Sequence, residues 1–229
     1  MLVRFILQAR FDSSRLPGKA LLPVAGYPAA ILAALRAGRD GTDTVLATTA
    51  RPCDDPIAAA ADAYGIKTFR GDRDDVLGRF RGACADLPDD AIAVRLTCDN
   101  TVPDCDYGRS IVDKLLAHGG DYYGTEYKAD GLPDGISAEA MPVGALRRSH
   151  RLDRSPQNLE HVTTFLRRGG QGPRLPSDSL HMAHLRCTLD TPEDYRRVMA
   201  LFDGVADPIG VSWRDLLARL ATLPAPPDL

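Results

Sequence analysis

Three polar segments hold the residue types that could do chemistry, and each directly follows an apolar run. The segment QARFDSSRLPGKAL (8–21) sets three cations, Arg10, Arg15 and Lys19, within ten residues, with Ser13, Ser14 and Gly18 between them. Small residues let backbone N–H groups approach an anion while the cations neutralise it. A di- or triphosphate is the natural guest, although a solvated polar loop would have the same composition. The spacing is neither the Gly-x-x-x-x-Gly-Lys-Ser/Thr of a P-loop nor the Gly-x-Gly-x-x-Gly of a dinucleotide fold. In RLTCDNTVPD (95–104), Asp99 follows a buried run, where a carboxylate can hold Mg²⁺ together with substrate phosphates; Asp-Asn is also a good turn pair. In HLRCTLDTPEDY (184–195), Thr191, Pro192 and Asp194 read as N-cap, first helical residue and N3 acid. Asp190 has no such local explanation. It could share one metal with Asp99 only if the two segments are neighbours in space.

Other polar residues have simpler structural readings. In FRGDRDDVLGRF (69–80), paired aspartates at a helix start favour the macrodipole, and Arg79, a turn later, could face solvent or the site. His161 in NLEHVTTF lies on a helix, where packing or exposure is the commoner fate of a histidine. His181 and His184 do not make a zinc motif without further ligands. Tyr122, Tyr123 and Tyr127 read as packing residues.

The elements that must position these residues alternate. Strand-like runs at 3–9, 42–49, 67–71 and 91–97 are separated by helical segments at 28–38, 54–65, 74–87 and 107–119. Such alternation predicts a mostly parallel α/β sheet with helices on both faces and right-handed crossovers. Ligands in such sheets sit beyond the carboxyl ends of the strands, where the first two polar segments begin. The stretch DYYGTEYKADGLPDGISAEAMP reads as short strands and turns, a small antiparallel excursion. A helix is expected over 155–168 with Ser155 as N-cap, then a strand over 184–190 and helices over 191–202 and 211–223. One domain over 1–222 is expected, irregular over about 120–185, with a Pro-rich tail at 223–229.

Composition narrows the class. The 229 residues are 44% hydrophobic and 26% charged, which is ordinary for a globular protein able to bury a core without staples. The net charge is −3 with a pI near 5.9, which argues against a general nucleic-acid binder. No apolar run approaches the ~20 residues that span a bilayer, and the start does not read as a signal peptide. Five cysteines without a Cys-x-x-Cys pair fit reduced thiols in a cytoplasm.

The ordered segments resemble one family. ILQARFDSSRLPGKALLPVAGYP looks like the N-terminal signature of nucleotide-sugar cytidylyltransferases of the spore-coat polysaccharide biosynthesis protein F type, with CMP-Kdo and CMP-sialate synthetases as more distant relatives. ATTARPCDDPIAAAADAYGIKTFRGDRDDVLGRF, VRLTCDNTVPD, NLEHVTTFL and LRCTLDTPEDYRRV are similar to the family's later blocks in the same order, over about residues 3–202. The resemblance implies a GT-A-like (Rossmann-like) nucleotidyltransferase fold, CTP as donor, Mg²⁺ as cofactor, a small anionic acceptor and a possible homodimer. It places Arg15 and Lys19 on the triphosphate and makes Asp99 and Asp190 the metal ligands. Gln8, Ala9, Arg10, Ser14 and Arg79 would join the nucleotide site, with Asp75 and Val76 near the cytosine. Ser137, Glu139, Glu160 and His161 would face the acceptor.

Two positions depart from the pattern. Cys98 stands where the family usually has Gly, which could shift the loop. Ser137 replaces the Asp of a Gly-Leu-Asp-Val-Glu stretch whose Glu is kept as Glu139, so the acceptor could differ from those of typical members. The implied reaction is in-line attack of an acceptor oxygen on the α-phosphorus, with pyrophosphate leaving. An already ionised acceptor needs no general base; for a sugar hydroxyl, Asp99 is the first candidate. Two other functions fit the same fold class. A glycosyltransferase would want an Asp-x-Asp pair where Cys98-Asp99-Asn100 stands. A non-catalytic module would bind CTP yet release no pyrophosphate.

Overall fold

The computed structural model describes residues 1–169 and 181–224. Within the tail expected at 223–229, residues 225–229 lie outside that range, as do 170–180 of the irregular segment. The chain opens with β1 (Val3–Gln8), a polar loop, and a small hairpin of β2 (Pro23–Val24) and β3 (Tyr27–Pro28). Then come α1 (Ala29–Ala37), β4 (Asp43–Thr49), α2 (Asp55–Ala63), β5 (Lys67–Gly71), α3 (Val76–Ala83), β6 (Ile92–Thr97) and α4 (Cys105–His118). The middle holds β7 (Tyr123–Gly124), α5 (Tyr127–Asp130), β8 (Glu139–Pro142), α6 (Val143–Leu152), α7 (Pro156–His161) and α8 (Thr164–Arg168). Helices α9 (Pro192–Phe202) and α10 (Trp213–Thr222) close the described chain.

The main sheet has the order β5-β4-β1-β6-β8-β7. Strands β5, β4, β1 and β6 run parallel, and β8 and β7 add antiparallel to β6. The expected mostly parallel sheet with a small antiparallel excursion is what forms. Side chains alternate along each strand, so one strand feeds two cores. Phe5 and Leu7 pack with α1, α4, α9 and α10 on one face. Ile6, between them, packs with α3, α6 and α8 on the other. The chain steps from β1 outward to β4 and β5, then returns to β6 on the far side of β1. That reversal opens a crevice at the carboxyl ends of β1 and β6, where such sheets bind ligands.

The structure differs from expectation at four points. The 184–190 segment is no sheet strand; it is an extended strap joined by single bridges, Thr188 to Asn100 and Arg186 to Asp134. Its backbone groups are satisfied by loops on either side: Leu189 N–H donates to Asp99 O at 2.9 Å and Cys187 N–H to Asp134 O at 2.7 Å. The helix over 155–168 breaks in two at Val162, whose φ is +66°. Helix α6 was not anticipated; four of the ten residues of VGALRRSHRL are basic, so its apolar stripe (Val143, Ala145, Leu146) is short. Tyr127, read as a packing residue, is exposed, whereas Tyr122 and Tyr123 are buried. No helix of the described residues is long and apolar enough to cross a membrane.

Candidate active site

The loop after β1 is anchored at its base. Buried Asp54 accepts from Phe11 N–H at 2.6 Å and from the Thr49 hydroxyl. Gly18 N–H closes the loop by donating to Phe11 O at 2.8 Å, and Gly18 has φ +74°, a conformation that favours glycine. A one-turn 3₁₀ segment (Lys19–Leu21) follows, and Lys19 reaches from it to the loop after β6.

Lys19 is where three elements meet. Its Nζ donates to Asp99 Oδ2 at 2.7 Å and to Asp190 Oδ1 at 2.8 Å. The Arg15 guanidinium reaches Asp190 Oδ1 at 2.9 Å. Residues 80 and 171 positions away in the chain are thus gathered on one ammonium. The bridge between residues 188 and 100 is what brings the two carboxylate segments side by side. Arg186 orients Asp190 from behind, with Nη2 2.9 Å from Asp190 Oδ2 and Nε 2.8 Å from Asp194 Oδ1. Burial pushes the Asp190 carboxyl up, but the Lys19 hydrogen bond and the charges of Lys19, Arg15 and Arg186 outweigh it and hold it below the usual range.

These residues line a cleft of about 390 Å³. One wall is the β1 loop, with Gln8, Ala9, Arg10, Ser13, Ser14 and Arg15. The α3 start supplies Val76 and Arg79, β6 and its loop supply Arg95, Thr97, Cys98 and Asp99, and α7 supplies Glu160 and His161. Most candidate residues therefore come together. Arg79 lines the cleft at 2% exposure. Its Nη1 donates to the carbonyls of Asp72 and Arg73 at 2.6 and 2.8 Å, and burial pushes its pKa down.

Three candidates stand apart from the cleft lining. Asp75 caps α3, accepting from Gly78 N–H at 2.6 Å and bonding His150 Nε2 at 2.8 Å. A Cβ at Gly78 would lie 2.6 Å from that carboxylate, so the glycine makes the cap possible. Ser137 accepts from Asn100 Nδ2 at 3.1 Å. Glu139 is buried behind the cleft and accepts from Tyr122 at 2.6 Å, Thr163 at 2.8 Å and Arg167 Nε at 3.1 Å, and from Arg95.

Cys98 sits between the end of β6 and Asp99. Its N–H donates to Gln8 O at 3.2 Å, its side chain is in the core, and Asp99 still reaches Lys19. Burial pushes the Cys98 thiol up. Among the described residues the five cysteines are all free thiols.

Arg95 and Arg186 were missed from sequence. Arg95 had a signal: a lone charge inside the apolar run AIAVRLT demands a partner. Arg186 had none, because its acids come from residues 134, 190 and 194.

The sequence profile of the cytidylyltransferase family matches residues 4–140, more than half of the chain. The chain belongs to the cytidylyltransferase family. It is accordingly a nucleotidyltransferase. This cytidylyltransferase is 29% identical to the spore coat polysaccharide biosynthesis protein SpsF of Bacillus subtilis over 229 residues, covering 95% of this chain and 93% of that protein. Its fold matches a cytidylyltransferase of Leptospira borgpetersenii with a TM-score of 0.83 at 24% identity, over 98% of this chain and 99% of that one. It also matches a CMP:2-keto-3-deoxy-manno-octonic acid synthetase solved with CTP, with a TM-score of 0.63 at 18% identity, over 88% and 98% of the two chains. Where a glycosyltransferase would want an Asp-x-Asp pair, the loop after β6 carries a single acid, in Cys98-Asp99-Asn100.

Proposed function

We propose that this enzyme transfers CMP from CTP to an acidic sugar, sugar-like or phosphonate acceptor in surface glycan or related biosynthesis. The observation that carries the reading is the convergence of Lys19 and Arg15 with Asp99 and Asp190 at the carboxyl ends of β1 and β6. The β1 loop is the triphosphate cradle, with Arg10, Ser14, Arg15 and Lys19 turned to the phosphates. Val76 and Arg79 border the base, beside the carbonyls that Arg79 holds in place.

The pair Asp99 and Asp190 suits Mg²⁺. Both offer hard oxygen donors, and both already point at one cation, the Lys19 ammonium. Bound there with the triphosphate, Mg²⁺ would neutralise phosphate charge and polarise the reacting phosphoryl group. The chain's own groups do the rest. Lys19 and Arg15 leave the carboxylates for the β- and γ-phosphates and stabilise the charge that collects on departing pyrophosphate. Glu160, His161, Arg10 and Arg95 border the remaining space, where the acceptor oxygen lines up with the α-phosphorus.

Charge supports an anionic acceptor. The cleft presents five cations (Arg10, Arg15, Lys19, Arg79, Arg95) against three carboxylates (Asp99, Glu160, Asp190), and with Arg95 matched by Glu139 behind the lining the surplus is one positive charge. A carboxylate, phosphate or phosphonate brought there needs no general base.

The test is an acceptor screen with CTP and Mg²⁺ over sugar acids and phosphonates, scored by pyrophosphate release and by the mass of a CMP adduct. One acceptor should give both in equal amounts. Binding of CTP with no pyrophosphate from any acceptor would leave a non-catalytic nucleotide-binding module instead.

A further inference from the structure

The Lys19 ammonium lies between the two carboxylates assigned to the metal, 2.7 Å from one and 2.8 Å from the other. Only 13% of its side chain is exposed, against 27% for Asp99 and 11% for Asp190. A divalent cation that used both carboxylates would meet that ammonium at contact distance.

The surrounding charge makes the conflict worse. Asp190 Oδ1 also takes Arg15 at 2.9 Å, and Asp190 Oδ2 takes Arg186 at 2.9 Å. Arg186 is itself shared with Asp134 and Asp194, so its charge is largely matched outside the pair. Two carboxylates thus face Lys19 and Arg15, and the pair is neutral before any metal arrives. Adding a dication alone would require expelling Lys19 into a cleft whose one other carboxylate, Glu160, already faces Arg10, and where Arg79 and Arg95 add positive charge. A triphosphate changes this, because it brings the anionic oxygens to which Lys19 and Arg15 can move.

We infer that Lys19 is the resident cation of the free enzyme, and that the Asp99–Asp190 pair accepts a divalent ion only as part of a metal–triphosphate complex. This rests on the reading of Asp99 and Asp190 as metal ligands. Lys19 then has two positions: on the carboxylates in the free protein, on the phosphates in the complex. Free metal does not prime the site, and the nucleotide-free enzyme stays closed to it. Removing the ammonium should therefore create metal affinity in the free protein while removing affinity for the nucleotide.

The experiment is a Mn²⁺ titration of nucleotide-free protein near neutral pH, following the free-ion signal by electron paramagnetic resonance. Lys19→Met should bind one Mn²⁺ at least tenfold more tightly than wild type. Adding Asp99→Asn to Lys19→Met should abolish that gain, which assigns the ion to this pair and not to the surface group of Asp40, Cys105 and Asp106. Circular dichroism checks each fold, and Lys19→Gln replaces Lys19→Met if the latter is unfolded. A gain under tenfold, or a gain that survives Asp99→Asn, overturns the inference. Calorimetry of wild type with CTP is run alongside. If CTP fails to bind while Lys19→Met still gains metal, the donor reading has failed and the ammonium's hold on the pair stands.

Discussion

Arg95 and Glu139 stand directly opposite each other on antiparallel β6 and β8, and their side chains pair at the floor of the cleft. The Glu139 carboxylate is also the acceptor for Tyr122, Thr163 and Arg167. One buried charge therefore ties a cleft arginine to the turn that follows Glu160 and His161. Burial alone would push the Glu139 carboxyl up, but Arg95, Arg167 and the Tyr122 hydroxyl bring it down to about 2.

Glu139→Gln leaves Arg95 and Arg167 without their anion. Breaking a buried pair in this way costs about 3–5 kcal/mol, toward the low end because the cleft hydrates Arg95. The pH signature is specific. A carboxyl lowered from 4.5 to about 2 stabilises the fold fully above pH 4.5 and loses that effect as pH falls toward 2. Wild-type stability should fall across this window. In Glu139→Gln the slope should be shallower by up to about 1.4 kcal/mol per pH unit, one proton's worth. Urea melts at several acidic pH values measure both, and parallel slopes would mean Glu139 is not ionised in the fold.

Asp75 acts through the helix it caps. Asp75→Ala removes the bond from Gly78 N–H and the partner of His150; loss of such a cap costs about 0.5–2 kcal/mol. Because α3 carries Val76 and Arg79 into the cleft, KM for CTP should rise more than kcat falls. Asp75→Asn, which can still accept from the backbone, should recover most of the stability. A direct contact with the base would instead show as equal nucleotide affinity loss in both variants.

Much of this was legible in the sequence, for a physical reason. Strands β1, β4 and β6 are short, mostly apolar runs bounded by polar loops, and Arg15, Lys19 and Asp99 fall beyond the carboxyl ends of β1 and β6. The Thr191–Asp194 capping box is local chemistry, and the structure forms it as expected. What stayed hidden depends on distant partners. The 186–190 strap takes its backbone bonds from residues 99, 100 and 134, so no periodicity marks it. The break at Val162 places a β-branched residue in the left-handed region, which local propensity opposes and burial of its side chain overrides. Asp75 reads as a helix-start acid and caps α3 as such, but its bond to His150 depends on α6, which its arginines hide in the sequence.

Lys19→Ala should lower turnover by about 10²–10³-fold, the effect of losing ~2.7–4 kcal/mol of stabilisation on the leaving pyrophosphate. Arg15→Lys should also slow the reaction, since a point charge does not replace a two-pronged guanidinium. Steady-state pyrophosphate release measures both. A loss under tenfold in folded Lys19→Ala would take Lys19 out of the chemistry.

Asp190→Asn keeps the side-chain shape and removes its charge. The Mg²⁺ concentration for half-maximal turnover should rise roughly tenfold or more, as for loss of a group that sets a metal's surroundings. An unchanged Mg²⁺ titration would remove Asp190 from the metal site.

The most direct measurement is calorimetric binding of CTP, UTP, ATP and GTP, each with and without Mg²⁺, to wild type and Lys19→Ala. The expected result is a Mg²⁺-dependent preference for CTP that disappears with the ammonium. Equal binding of all four nucleotides, or binding of none, would mean that the β1 loop is not a triphosphate cradle.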